Sequence, residues 1–96
     1  MATLHIEHPI SDLTTWLGAF GQFSEARRQA GVVGQRIQQP IDDDKYIVVD
    51  LDFADADEAV KFKNFLETVV WKSRDLSPGL AGVPQARIFT DIEPQR

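Results

Sequence analysis

The segment from residue 46 to residue 53 constrains the fold most, because Ile47, Val49, Leu51 and Phe53 place an apolar side chain at every second position. A two-residue period of this kind predicts a β-strand with one buried face. Residues 3–8, 32–39 and 86–92 show the same period, so we predict three further strands. On one face, the predicted strands carry a nearly continuous apolar set: Leu4, Ile6, Val33, Ile37, Ile47, Val49, Leu51, Phe53, Ile88 and Ile92.

Two segments between these strands have apolar residues at helical spacing. The first begins near Ser11 or Asp12 and continues to Gly31, a residue suited to a left-handed helix end. The second begins at Asp55, which forms a capping-box pattern with Glu58. Residues 72–84 predict an irregular arm or a short helix. Apolar residues expected to pack are Leu13, Trp16, Leu17, Phe20 and Phe23 in the first helix, Ala59, Phe62, Phe65, Leu66, Val69 and Val70 in the second, and Leu76, Leu80 and Val83 in the arm.

The resulting order, β-α-β-β-α-β, predicts an α+β, ferredoxin-like fold. Two helices would cover one face of a four-stranded antiparallel sheet, within a single domain spanning residues 1–96. The other face would then be open, with charges of both signs beside a few apolar side chains. Its expected members are His5, Glu7, Arg36, Gln38, Tyr46, Val48, Asp50, Asp52, Arg87, Phe89 and Asp91.

Composition excludes several classes of function. The chain has 10 basic and 15 acidic residues, a net charge of −5, which argues against nucleic acid or an anionic membrane as a partner. It has no cysteine, so a disulfide scaffold, a thiol nucleophile and a Cys-ligated metal site are excluded.

No apolar run approaches the ~20 residues of a membrane span, and residues 1–10 lack the features of a signal peptide, so we expect a cytoplasmic protein. Neither metal-binding nor nucleotide-binding motifs occur, and we expect no metal and no cofactor.

The candidate chemical residues leave two alternatives open. His5 and His8 lie on opposite faces of the first predicted strand, and either could act as a general base, because histidine titrates near neutral pH. His5 could instead belong to a polar network at an interface, and His8 could be a capping or surface group. Trp16 and Trp71 could line a pocket with Phe20 or simply fill the core.

Four stretches of the sequence resemble a known family: HPISDLTTWLGAF, ARRQAGVVGQRI, DDDKYIVVDLDFADADEAVKFKNFL and GVPQARIF. Together they are similar to the dimeric α/β-barrel superfamily, and within it to small uncharacterised bacterial proteins related to antibiotic biosynthesis monooxygenase-type domains. The resemblance implies a homodimer in which two sheets face each other, and a ligand cleft between the sheet and the helices. Some haem-degrading relatives use Asn, Trp and His together, whereas the one asparagine here is Asn64, on the second predicted helix.

Two functions follow as expectations. The first is a protein that binds a small molecule, or serves as a structural dimer, without catalysis. The alternative is a cofactor-independent monooxygenase-like enzyme acting on an apolar or aromatic molecule. The number of large apolar residues slightly favours a filled core over an open cleft. The expected site consists of His8 or His5 as the base, Trp16, Phe20 and Trp71 as the pocket, and His5, Arg36, Tyr46, Asp50, Arg87 and Phe89 as the dimer interface.

Overall fold

A computed structural model describes residues 1–92. A single turn of π-helix, Leu66–Val70, follows the last α-helix. No helix within the described residues is long and apolar enough to span a membrane. The regular elements in chain order are β1 (Ala2–Pro9), α1 (Leu13–Gln22), α2 (Ser24–Gln29), β2 (Val32–Gln38), β3 (Tyr46–Phe53), α3 (Ala56–Phe65) and β4 (Gln85–Thr90).

The four strands form one antiparallel sheet in the order β2-β3-β1-β4. His5, in the middle of β1, lies opposite Asp50 of β3 on one side and Arg87 of β4 on the other. This order and the helices packed on one face confirm the predicted α+β, ferredoxin-like fold.

The core lies between the sheet and the helices. Every second residue of β1 and β3 is buried there, as the two-residue period predicts. Each fully buried side chain of Leu or Phe size contributes about 1.5–3 kcal/mol to folding. The buried members of this cluster are Ala2, Leu4, Ile6, Ile10, Trp16, Ile47, Val49, Leu51, Phe53, Ala59 and Phe62.

The first predicted helix is two helices. Asp12 caps α1 by accepting a hydrogen bond from the Thr15 backbone N–H at 2.7 Å, as expected of an N-cap residue. At Phe23 the backbone leaves helical geometry (φ −100°, ψ 14°), and its N–H bonds back to the carbonyl of Phe20. The prediction of one continuous helix is therefore wrong. Its predicted end is confirmed, because Gly31 adopts φ +97°.

Six of the residues predicted to pack are exposed: Leu17, Val33, Val69, Leu76, Val83 and Ile92. Val33 is 64% exposed, because a register shift between Val32 and Gly34 turns Val32 inward instead. Ile92 is 83% exposed. β4 ends at Thr90, which pairs with Ala2 at the start of β1, so β1 has no residue opposite Ile92. Val83, in the arm, is exposed as well.

The end of α3 changes which residues face the core. Asp55 caps α3 through the Glu58 backbone N–H at 2.9 Å, which confirms the predicted start. In the π-helical turn, the Trp71 N–H donates to the carbonyl of Leu66, five residues earlier, at 2.8 Å. The wider turn leaves Val70 buried and Val69 exposed, although the sequence predicts both to pack.

Residues 72–84 form an arm without helix or strand, apart from one isolated bridge between Leu80 and Ile10. Backbone hydrogen bonds hold the arm against the end of β1. The Ser11 N–H donates to the Gly79 carbonyl at 2.8 Å, and the Ala81 N–H donates to the Pro9 carbonyl at 3.2 Å. The arm therefore stands beside the first turn of α1, at the edge of the core.

Candidate functional site

An open cleft lies between the sheet, the helices and the arm. Its cavity volume is about 80 Å³, and its empty space with the open mouth included is about 600 Å³. Of the large residues expected to fill this space, Phe20, Phe62 and Leu66 line the cleft and leave it narrow, whereas Phe53 and Phe65 pack outside the lining. The lining residues are Ile6, His8, Trp16, Ala19, Phe20, Phe23, Arg27, Val49, Leu51, Phe62, Leu66, Val70, Trp71, Leu76, Ser77, Pro78 and Leu80.

Aromatic rings form one wall of the cleft. Trp16 and Phe20, one helical turn apart on α1, stack with ring centroids 4.9 Å apart and an interplanar angle of 22°. Trp71, half-buried, reaches the cleft from the end of the π-helical turn. The structure thus brings together all three aromatic residues that the sequence analysis selected as a pocket.

His8 is the titratable base that faces the cleft. It occupies an inward position of β1, and only 4% of its surface is exposed. Its Nδ1 lies 2.9 Å from the carbonyl oxygen of Pro9, so Nδ1–H donates that hydrogen bond and Nε2 keeps its lone pair. Burial lowers the pKa of His8, which favours the neutral ring at pH 7.

The Nε2 atom of His8 keeps contact with solvent. It has no hydrogen-bond partner within residues 1–92. In that same part of the chain, no side-chain nitrogen or oxygen that is shut off from solvent lacks a partner. Since His8 lines the cleft, its free lone pair is available to a molecule bound there.

Arg27 is a further polar residue of the cleft, and it is not among the candidate residues predicted from the sequence. It is 6% exposed, and its Nη1 donates to the Phe20 carbonyl at 2.6 Å. Its guanidinium carbon lies 3.6 Å from the centroid of the Phe20 ring, a cation–π contact. Burial lowers the pKa of Arg27, but an arginine side chain stays protonated in proteins.

Helical spacing places Arg27 on the apolar face, four residues after Phe23 and seven residues after Phe20. The sequence therefore carries a signal for its burial, but an arginine is a residue type usually found at exposed positions, and its charge hides that signal.

His5 lies on the open face of the sheet, away from the cleft. Its Nδ1 is 2.7 Å from Asp50 Oδ1, and its Nε2 is 2.8 Å from Glu7 Oε2. The Tyr46 hydroxyl donates to the other oxygen of Glu7 at 2.6 Å. The hydrogen bond to Glu7, supported by Asp50, raises the pKa of His5 against the effect of burial. With both ring nitrogens engaged by carboxylates, His5 is suited to hold a proton within a network.

The other residues predicted for the interface share this open face. The Phe89 ring meets the His5 ring edge-on, with centroids 6.0 Å apart, and Arg87 lies over the same Phe89 ring at 5.8 Å. Arg36 lies opposite Asp50 in the neighbouring strand. Neither Arg36 nor Arg87 forms an ion pair within residues 1–92. In that same range, no three His, Asp or Glu side chains converge as a metal ion would require.

The fold and the cleft place the chain in a structural class, the ferredoxin-like α+β proteins to which solved antibiotic biosynthesis monooxygenase structures belong. No family model matches the sequence, and no curated protein matches it. The relation therefore rests on structure.

Three solved structures illustrate the similarity. SnoaB, a cofactor-independent oxygenase from Streptomyces nogalater, superposes with a TM-score of 0.70 at 14% identity, over 97% of this chain and 94% of that one. The monooxygenase from the gene ActVA-Orf6 of Streptomyces coelicolor, in complex with the ligand Nanaomycin D, gives 0.64 at 16% identity, over 99% and 90%. A dimeric ferredoxin-like protein from an uncultured marine organism gives 0.62 at 9% identity, over 96% and 97%.

Proposed function

We propose that the protein binds a planar aromatic small molecule in the cleft. The observation that carries this proposal is the stacked pair of Trp16 and Phe20 on the wall of an open apolar space. A flat aromatic ring would bury apolar area against this wall, and contacts with the edges of the wall's rings would add to that burial. The ActVA-Orf6 monooxygenase, which shares the fold, is described with an organic ligand bound.

The dimensions of the cleft favour a thin ligand. Binding sites for small molecules usually hold about 300–1,000 Å³, several times the cavity of about 80 Å³, so most of a ligand of that size would lie in the open mouth. A ring inserted edge-first would occupy the narrow part, and its substituents would extend into the mouth beside the arm. Bulky aliphatic compounds would require the walls to move.

The two tryptophans provide a direct test of binding. They are the only tryptophans in the chain, and both line the cleft, so their indole N–H signals in a nitrogen–proton NMR spectrum report on this site alone. We expect 2-naphthamide, a neutral planar aromatic compound, to shift both signals in a saturable way. Val83→Ala, at an exposed position of the arm, should leave the titration unchanged. Absence of any shift at millimolar 2-naphthamide would exclude the proposed binding.

His8 favours a second candidate function, oxygenation of an ionised aromatic substrate without a cofactor. Its free Nε2 can remove a proton from a substrate hydroxyl held in the apolar cleft. The resulting anion can then react with dioxygen. For 1,5-dihydroxynaphthalene, C10H8O2 and O2 would give the hydroxyquinone C10H6O3 and H2O, and the substrate would supply all four electrons. SnoaB, which shares the fold, is described as a cofactor-independent oxygenase.

Oxygen consumption with 1,5-dihydroxynaphthalene tests this second candidate. We expect His8→Gln to lower the rate by about 100-fold or more, the usual contribution of a positioned general base. His5→Gln is the matched control, because that histidine lies on the opposite face of the sheet. Equal rates for the wild type and His8→Gln would eliminate His8 as the base.

We also propose that two copies of the chain associate through their open sheet faces. Tyr46, Val48 and Phe89 supply apolar area on this face, beside carboxylates and arginines. Arg36 and Arg87, without ion-pair partners in residues 1–92, could pair with acidic residues of the second copy. Opposite charges across an interface favour one register over others. The solved ferredoxin-like protein from a marine organism is described as dimeric.

A further inference from the structure

Two neighbouring arginines of α2 lie in opposite environments. The side chain of Arg28 is 75% exposed and pairs with Glu25. Arg27, the next residue back, is 94% buried and has no carboxylate partner within residues 1–92. Among the described residues it is the one buried cationic side chain. A buried charge without a counter-ion is unfavourable, so the space that the Arg27 guanidinium faces indicates where a negatively charged partner would bind.

The hydrogen-bonding capacity of Arg27 is mostly unused. A guanidinium has five N–H donors, and within the described residues this one donates a single bond, to the Phe20 carbonyl. The Phe20 ring covers one of its planar faces. Within residues 1–92 no polar side-chain atom that is shut off from solvent lacks a partner, so the nitrogens of Arg27 without a protein partner keep contact with solvent, and Arg27 is one of the residues that line the cleft.

We propose that Arg27 is the anion-binding residue of the cleft and that the natural ligand is an aromatic molecule bearing an oxyanion. This inference rests on the proposed function, because it assigns the chemical class of the molecule that the cleft holds. The ring system would lie against Trp16 and Phe20, and its negatively charged oxygen would accept hydrogen bonds from the free donors of Arg27.

The remaining charges of the molecule support this assignment. The chain carries a net charge of −5, so its surface as a whole repels anions. His8, the other buried polar residue of the lining, is held neutral by burial and offers a lone pair rather than a positive charge. Within the described residues, attraction for an anion in this cleft therefore depends on one side chain. A guanidinium is suited to oxyanions, because it can donate two parallel hydrogen bonds to them.

Isothermal titration calorimetry with a matched pair of ligands tests the proposal. 2-Naphthoate and 2-naphthamide have nearly the same shape and differ in charge. We expect the wild-type protein to bind the naphthoate about tenfold or more tightly than the amide, as charge-assisted hydrogen bonds imply. Arg27→Gln should abolish this preference, so that the two compounds bind the variant with affinities within about twofold of each other. Arg28→Gln, the exposed neighbour, should keep the preference.

Each outcome of the titrations distinguishes between a failure of the role of Arg27 and a failure of the proposed function. Equal affinities for the two compounds in the wild-type protein would overturn the role of Arg27 and leave the aromatic cleft in place. Failure of both compounds to bind would overturn the proposed function itself. A preference for the naphthoate that persists in Arg27→Gln would assign Arg27 a purely structural role, that of holding the carboxyl end of α1.

A second measurement does not require the variant to fold. In the wild-type protein, the Nε–H signal of Arg27 should shift on addition of 2-naphthoate and shift much less on addition of 2-naphthamide. If the two compounds produced the same shift at saturation, the anion contact would be refuted.

Discussion

At the scale of single residues, the two histidines give opposite dependences of stability on pH. Glu7 and Asp50 raise the pKa of His5 in the folded state, so its stabilisation is present below the unfolded value of 6.5 and is lost as pH rises through the folded value. Burial lowers the pKa of His8, so its stability cost grows as pH falls from 6.5 towards the folded value.

Single substitutions should separate these two contributions. We expect the free energy of unfolding of the wild type minus that of His5→Gln to decrease as pH rises from 6 to 8. The corresponding difference for His8→Gln should increase as pH rises from 5 to 6.5. Urea denaturation across this pH range provides both differences. Differences that do not change with pH would contradict the two pKa shifts.

The two tryptophans should differ in their contributions to stability. Trp16 is 7% exposed and belongs to the buried cluster, so Trp16→Ala should cost about 3–5 kcal/mol of unfolding free energy. Trp71 is half-buried at the cleft, so Trp71→Ala should cost less than about 2 kcal/mol. Urea denaturation of both variants measures the difference. Equal losses would place Trp71 in the core and not at the wall of a cleft.

At the scale of elements, Gly31 controls the passage from α2 into β2. Its φ of +97° is unfavourable for any residue with a Cβ, and an added Cβ would collide with the Glu58 carboxylate of α3. Gly31→Ala should therefore lower the unfolding free energy by about 1–3 kcal/mol. Gly18→Ala is the control, because that glycine lies in a helix with open space around it and should gain up to about 1 kcal/mol. Thermal denaturation of both variants tests the contrast, which would be refuted by a neutral Gly31→Ala.

The elements that sequence reasoning predicts well are those in which local pattern and tertiary environment agree. β1 and β3 lie in the middle of the sheet, so their alternation maps directly onto a covered face and an open face. β2 lies at the edge of the sheet and pairs only with β3. A bulge there can turn Val32 inward in place of Val33 without disrupting hydrogen bonds to a second strand. The break at Phe23 also carries no signal in the spacing of apolar residues, because the same apolar stripe is compatible with one helix or two.

At the scale of the whole molecule, the covered and open faces of the sheet carry different chemistry. The aromatic part of the cleft is predictable from sequence, because Trp16 and Phe20 share one helix face and need only a sheet to lie against. Arg27 shares that helical spacing, seven residues after Phe20, but its charge predicts an exposed position, whereas the structure buries it. The polar network on the open face is partly predictable, because the alternation of β1 and β3 places His5, Glu7 and Asp50 on one side.

If two copies associate through their open sheet faces, substitutions on that face should change the mass of the protein in solution. Arg36→Glu and Arg87→Glu each place a negative charge among carboxylates, so each should weaken a dimer that depends on pairs of opposite charge. Sedimentation equilibrium should show a shift towards the monomer for both variants. Arg74→Glu changes the net charge equally at an exposed position of the arm and should keep the wild-type mass. An unchanged mass for Arg36→Glu and Arg87→Glu would rule out this interface.

The π-helical turn at Leu66–Val70 has a consequence for how this cleft tolerates insertions and deletions. A turn with hydrogen bonds to the fifth residue back holds one residue more than an α-helical turn. Deleting one residue there would allow α3 to continue regularly, and every later side chain would rotate by about 100° around the helix axis. Trp71 would then leave the cleft, although no residue of the cleft wall had been substituted. The shape of the site therefore depends on chain length at this turn as much as on the identity of the side chains.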